Sequence, residues 1–270
     1  MTDVTVRYDN LRFSSAEGIA VVTLDRPERR NSWTVPMIHE MSDALRRCDN
    51  SDSVRVVVIT GAGDTFSAGA DLDDGPISSP GSDERPDEIL RELVTPNDVR
   101  KPVIAAINGD AIGIGLTSSL LCDLRIVARD ARLAIPMTRL GVTPEMGAHW
   151  ILPRIAGHGV ASDLLLTGRR IDGAEAVRLG VCNECVDRGE VLHRAMDIAR
   201  DIVERTAPRA VAASKYLLAH SQGTDFRASR AYETEMFMRL AAEPDAAEGV
   251  AAFLEKRRPR WTGNVGADPV

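Results

Sequence analysis

The sequence predicts an α/β architecture followed by a helical C-terminal region. Three observations carry this. Apolar, β-rich runs recur at Ile19–Leu24, residues 54–60, Val103–Ile107 and Leu124–Ala128. The segments between them show helical apolar spacing or glycine-rich turns through about residue 190. Beyond Glu190 the text is almost wholly helical.

Ile19–Leu24 reads as a strand ending at Asp25-Arg26-Pro27. Residues 33–48 read as a helix, with Val35, Ile38, Met41, Ala44 and Leu45 at three-to-four spacing. Ser32 is its expected N-cap, and Pro36 falls in the first turn, where its missing N–H costs little. Residues 54–60 (VRVVVIT) are apolar nearly throughout, as in strands buried on both faces. A Gly/Ala-rich loop follows over residues 61–71. Residues 73–88 are polar, with three prolines and two glycines, and read as a long loop. A helix is expected ahead of Lys101-Pro102. Then come the strand Val103–Ile107, a turn at Asn108-Gly109, a short apolar helix over residues 112–121 and the strand Leu124–Ala128. In the C-terminal part, Met236-Phe237-Met238 and Val250-Ala251-Ala252-Phe253-Leu254 sit on amphipathic stretches. The organisation is an α/β core over residues 1–195 and a helical region over residues 196–270.

The 270 residues are 44% hydrophobic and 27% charged, ordinary for a globular protein, while aromatics make up 4%, so the core must rest on aliphatic side chains. A net charge of -7 argues against nucleic acid or an anionic membrane as the main partner. No apolar run reaches the roughly 18–20 residues of a membrane span. No signal-peptide pattern opens the chain. Four cysteines in this length suggest reduced thiols and a cytoplasmic protein.

Two glycine-rich segments each follow a buried strand: Gly61-Ala62-Gly63-Asp64-Thr65-Phe66-Ser67-Ala68-Gly69-Ala70-Asp71-Leu72 and Asn108-Gly109-Asp110-Ala111-Ile112-Gly113-Ile114-Gly115-Leu116. Such turns can aim backbone N–H groups at one oxygen and stabilise a developing oxyanion. The same glycines also suit tight packing, and spacing alone leaves both readings open. Gly113-Ile114-Gly115-Leu116-Thr117-Ser118 lacks the third glycine of a dinucleotide fingerprint, and Thr65-Phe66-Ser67-Ala68-Gly69 lacks the first glycine of a nucleophile elbow. Cys182-Asn183-Glu184-Cys185 is a lone CxxC with no second pair, which favours packing over zinc. Glu145, in Thr143-Pro144-Glu145-Met146-Gly147, reads on residues alone as a surface-loop acid; lining a cleft, it would be a carboxylate of raised pKa.

Taken together, several stretches resemble the crotonase (enoyl-CoA hydratase/isomerase) superfamily. They are Leu24-Asp25-Arg26-Pro27 with Asn31, residues 61–72, Lys101-Pro102-Val103-Ile104-Ala105-Ala106-Ile107-Asn108-Gly109, and Cys122-Asp123. Leu152-Pro153-Arg154, Leu166-Thr167-Gly168 with Ala174-Glu175-Ala176, and Ala252-Phe253-Leu254-Glu255-Lys256-Arg257 continue the match in family order. The resemblance implies a spiral of ββα units with a C-terminal helical trimerisation region, assembled as a homotrimer or a dimer of trimers. It implies an acyl-CoA substrate held at its thioester by the N–H groups of Ala70 and Ile114. Ala68, Asp71 and Leu72 would border the coenzyme, Arg29 and Arg30 would face its phosphates, and Lys256 would reach the coenzyme of a neighbouring subunit. Coenzyme A would enter as part of the substrate, with no metal or redox cofactor.

The family's hydratases use two glutamates, which the resemblance places at Thr117 and Met137 of this chain. Neither residue can act as a general acid or base near neutral pH. Glu145 resembles the carboxylate of Δ3,Δ2-enoyl-CoA isomerases and phenylacetate-pathway ring isomerases. The expectation is therefore an isomerase in which Glu145 moves a proton between two carbons inside a dry pocket walled by Trp33, Thr117, Met137 and Trp150. A diverged hydratase, an acyl-CoA thioester hydrolase and a non-catalytic acyl-CoA-binding protein are the alternatives.

Overall fold

The computed structural model describes residues 4–72 and 93–265. A seven-stranded sheet runs in the order β1 (Val4–Arg7), β2 (Leu11–Ala16), β3 (Ile19–Leu24), β4 (Val56–Gly61), β6 (Val103–Ile107), β8 (Leu124–Ala128), β10 (Glu184–Val186). β1 to β3 pair antiparallel, and from β3 onward every pairing is parallel. A second, three-stranded parallel sheet holds β5 (Thr65–Ser67), β7 (Asp110–Ile112) and β9 (Leu133–Ala134). Each long apolar strand thus enters the large sheet and the short strand after it enters the small one. This is the spiral of paired strands and helices expected above.

β4 and β6 are buried at every position, which is why they carry no polar alternation. Helix α1 (Val35–Asn50) buries Met37, Ile38, Met41, Ala44 and Leu45. Its N-cap is Thr34, whose Oγ1 accepts from the Met37 N–H, rather than Ser32 as expected. The Ser32 hydroxyl instead donates to Asp71 Oδ2 at 3.0 Å, a long-range contact that outcompetes a local cap. The expected loop over 73–88 lies outside the described residues. Of the helix expected before Lys101-Pro102, residues 93–100 are described and form turns and irregular backbone.

Short helix α2 (Ile114–Leu120) follows β7, and α3 (Ala148–Ala156), α4 (His158–Thr167) and α5 (Gly173–Arg178) come between β9 and β10. Helix α6 (Val191–Arg205) is one continuous element through residues 195–196 and packs on β4, β6 and β8 through Val191, Ala195 and Ala199. Helices α7 (Pro208–His220), α8 (Phe226–Ala241) and α9 (Pro244–Glu255) complete the chain. Lys215 of α7 ties them to the core, donating to the carbonyls of Pro96 and Lys101 and to Asp123. A cavity of about 1150 Å³ lies between these C-terminal helices, lined by Ala213, Met236, Leu240 and Trp261 and remote in sequence from the glycine-rich loops. No helix among the described residues is long and apolar enough to cross a membrane.

Candidate active site

The two glycine-rich segments meet. Gly115, in the first turn of α2, lies so close to Ser67 that a Cβ there would come within 2.7 Å of the serine Cβ. A Cβ on Gly113 would sit 3.8 Å from the Gly69 Cα, and one on Gly69 would sit 3.1 Å from the Ile112 carbonyl oxygen. Gly69 (φ +106°) and Gly113 (φ +56°) also adopt backbone conformations that side chains resist. These glycines therefore allow the close approach of the two loops, which is the packing reading left open by the sequence.

Two asparagines pin the loops. Asn31, fully buried, donates to the carbonyls of Ala62 and Thr65 and accepts from the Arg26 N–H. Asn108 accepts from the Gly61 N–H at 3.0 Å and donates to the Gly63 carbonyl at 2.9 Å. Trp33 brackets the first loop through its backbone: its N–H donates to the Gly69 carbonyl and its carbonyl accepts from the Asp71 N–H, both at 2.8 Å. The Ala68 N–H donates to the Arg30 carbonyl. Ala70 lies between these anchored groups, and its own N–H has no acceptor among the described residues. The same holds for Ile114, the first residue of α2, whose N–H is one of the unpaired donors of a helix start. Both groups named for the oxyanion are thus open donors on abutting loops.

Glu145 stands on the turn ahead of α3. Met146 (φ +53°) and Gly147 (φ +67°) turn the backbone sharply after it, and the methionine is a non-glycine residue in the left-handed region. The Thr117 hydroxyl donates to Glu145 Oε1 at 2.9 Å. Thr117 is fully buried one turn after Ile114 on α2, so the carboxylate is bound to the helix that offers the open N–H. Burial raises the Glu145 pKa above the usual carboxylate range, opposed by the Thr117 bond. Met137 is buried, and its Cε would lie 3.5 Å from a Cβ on Gly113. Glu145, Thr117, Met137 and the glycine loops thus form one group.

Other residues take different places. Asp71 is buried, with Arg26 at 3.1 Å on one oxygen and Arg29 at 3.1 Å on the other. Its carboxylate holds the loop to the arginine segment, a role the linear sequence did not signal because the partners lie more than 40 positions apart. Arg30, more exposed, reaches Asp110 at 3.3 Å. Ala68 is half-buried, and Leu72 is 67% exposed beside the loop. Trp150 does not close a dry wall as expected: it is 42% exposed, with the Arg154 guanidinium stacked 3.8 Å from its ring centroid. An indole at this helix position keeps its ring in solvent because the cation covers it. Lys256 ends α9 in a left-handed cap, exposed. All four cysteines are free; Cys182 is buried and its thiol is pushed up to about 12. Among the described residues no group of three or more His, Cys, Asp or Glu could hold a metal ion.

Comparison with known proteins finds the following similarities. The family model described as enoyl-CoA hydratase/isomerase matches residues 14–264. The chain is 35% identical to an enoyl-CoA hydratase of Alternaria alternata, covering 94% of this chain and 87% of that protein. It is 34% identical to the short-chain-enoyl-CoA hydratase of Clostridium acetobutylicum, covering 94% and 97%. It is 36% identical to the carnitinyl-CoA dehydratase of Salmonella arizonae, covering 95% and 99%. Among solved structures, a probable enoyl-CoA hydratase/isomerase from Mycobacterium abscessus superimposes with a TM-score of 0.88 at 40% identity, covering 97% of this chain and all of that one.

Proposed function

This chain belongs to the enoyl-CoA hydratase/isomerase family, and within it we propose that it acts as an enoyl-CoA isomerase with Glu145 as the single proton carrier. The observation that carries the proposal is the Glu145 carboxylate bonded to Thr117 on the helix begun by Ile114; it is supported by the resemblance, which puts the hydratase glutamates at Thr117 and Met137. The thioester oxygen of a 3-enoyl-CoA lies between the N–H groups of Ala70 and Ile114. Glu145 takes a proton from C2, and the electron pair moves into the carbonyl to give an enolate that these donors stabilise. The protonated Glu145 returns the proton at C4 as the enolate collapses, leaving the double bond between C2 and C3. One carboxylate suffices because the proton it removes is the proton it delivers, and a desolvated site raises its basicity for the task. Arg29 and Arg30 supply positive charge for the coenzyme phosphates.

A second reading has its own support. The relatives named above are hydratases and a dehydratase, so a hydratase in which Glu145 alone activates water is the rival. Assay of the purified protein with a 3-enoyl-CoA and a 2-enoyl-CoA, for wild type and Glu145→Gln, separates them. Isomerisation lost in Glu145→Gln, with little hydration by wild type, is the expected result. Isomerisation surviving Glu145→Gln overturns the mechanism, and hydration as fast as isomerisation assigns the hydratase reading.

A further inference from the structure

Ser67 ends β5 and is fully buried where the two glycine-rich segments abut. Its Oγ accepts from the Gly69 N–H at 3.2 Å. That bond completes a set of acceptors along the loop. The Ala68 N–H goes to the Arg30 carbonyl, and the Asp71 N–H goes to the Trp33 carbonyl. Gly69 is buried with φ +106°, and its N–H meets a hydroxyl two residues back rather than a backbone carbonyl. From residue 68 to residue 71, only the exposed Ala70 keeps an N–H without an acceptor among the described residues.

The same side chain supports the second segment. Gly115 follows Ile114 in α2, and a Cβ built there would meet the Ser67 Cβ at 2.7 Å and its Oγ at 2.9 Å. The serine thus reaches from the residue before one open donor to the residue after the other. The Ala70 N–H lies in the peptide plane that the Gly69 dihedrals orient. Trp33 holds the carbonyl of that plane, and Ser67 holds the N–H of the plane before it. Without the hydroxyl, the Gly69 N–H would be a buried donor with no partner, which is costly. The loop relieves that cost by rotating Gly69, and the rotation turns the Ala70 donor with it.

We propose that Ser67 is a positioning residue for the oxyanion donors. Its Oγ takes up the Gly69 N–H, so that Ala70 alone presents a donor from this loop, and its side chain sets the spacing to Ile114 by supporting Gly115. The proposal rests on the placement of the thioester between Ala70 and Ile114, and it does not depend on which reaction follows.

Infrared spectroscopy of bound octanoyl-CoA, labelled with carbon-13 at the thioester carbonyl, reads the donors without turnover. A chain with no double bond is neither isomerised nor hydrated, and hydrogen bonds to a carbonyl lower its stretching frequency. Wild type, Ser67→Ala and Ser119→Ala are compared. Ser119 is also buried, but its hydroxyl bonds the Leu116 carbonyl within α2, so it controls for the loss of a buried hydroxyl. Wild type should lower the carbonyl frequency relative to free octanoyl-CoA. Ser67→Ala should lose half or more of that lowering and about tenfold or more in kcat on whichever enoyl-CoA wild type turns over. Its Kd for octanoyl-CoA should stay within about threefold of wild type. Ser119→Ala should match wild type in all three. The proposal is overturned if Ser67→Ala keeps the full lowering, or if Ser119→Ala loses as much as Ser67→Ala. Wild type that leaves the carbonyl unshifted overturns the placement of the thioester itself, and the proposal with it. Should Ser67→Ala not fold, backbone amide NMR of wild type decides: on adding octanoyl-CoA, the Ala70 and Ile114 resonances should move and the Gly69 resonance should stay. A Gly69 shift as large as that of Ala70 overturns the proposal.

Discussion

The Thr117 hydroxyl donates to Glu145 Oε1 across 2.9 Å, joining the helix that begins at Ile114 to the turn that carries the proposed base. The chain has a neutral hydroxyl at the position where the resemblance expects a hydratase glutamate. This hydroxyl stabilises the ionised form against the burial that raises the Glu145 pKa.

Thr117→Val removes that donor and keeps the shape. The Thr117 bond favours the charged form, so without it the Glu145 pKa should move further up. The base works ionised, so activity is present above its pKa and falls as pH drops through it. The acid limb of the kcat profile should therefore move to higher pH, and Thr117→Ser should restore it. An unmoved limb in Thr117→Val shows that the hydroxyl does not tune the base.

Glu145→Gln should lower the isomerisation rate about 10²–10⁴-fold. Its effect on stability has a defined sign. Burial raises the folded-state pKa of Glu145 above its unfolded value, so its favourable contribution is complete below the unfolded pKa and is lost as pH rises through the folded one. The glutamine variant should consequently gain in Tm relative to wild type on going from pH 4 to pH 8. Parallel Tm curves across that range would contradict the burial of the carboxylate.

Gly69→Ala tests the convergence of the loops. A Cβ would meet the Ile112 carbonyl at 3.1 Å, from a backbone at φ +106°. The loops must part, and a displaced oxyanion donor costs about 10²–10³ in kcat. The far-ultraviolet circular dichroism should remain that of wild type. Full activity in this variant would show that the Ala70 N–H is not a donor to the thioester.

Asp71→Ala separates loop anchoring from coenzyme contact. It leaves Arg26 without a carboxylate that is itself buried and shared with Arg29. A loss of about 1–3 kcal/mol in denaturant unfolding is expected, below the full cost of breaking a buried pair because the arginines retain solvent. Arg29→Ala should raise the KM for acyl-CoA with little change in kcat, and its salt dependence should flatten. A kcat loss in Arg29→Ala equal to that of Glu145→Gln would move the arginine into the chemistry.

Much of the fold was legible because its signals are local. Ile19–Leu24, Val103–Ile107 and Leu124–Ala128 are strands with the bounds that their apolar runs indicate. The helix start was missed by two residues because Ser32 and Thr34 are both able caps, and only the position of Asp71 decides between them. The glycine loops were recognisable by composition and by family likeness. The clamp of Asp71 by Arg26 and Arg29 was not, because nothing near Asp71 in the chain marks it.

The sequence by itself determined the apolar strands Ile19–Leu24, Val103–Ile107 and Leu124–Ala128, the two glycine-rich turns and the absence of glutamate at positions 117 and 137, since these depend on residue type and near-neighbour spacing, while β1, β2 and the short strands of the small sheet carried too weak a local signal to be read. Only the tertiary structure decided that Glu145 meets Thr117, 28 positions away, that Trp150 remains open under Arg154, and that the Trp33 indole lacks an acceptor among the described residues. Hydrophobic periodicity follows from the repeat of a helix or strand, which every neighbour reports. The partner of a buried polar atom follows from which distant surfaces pack together, and that is a property of the whole core.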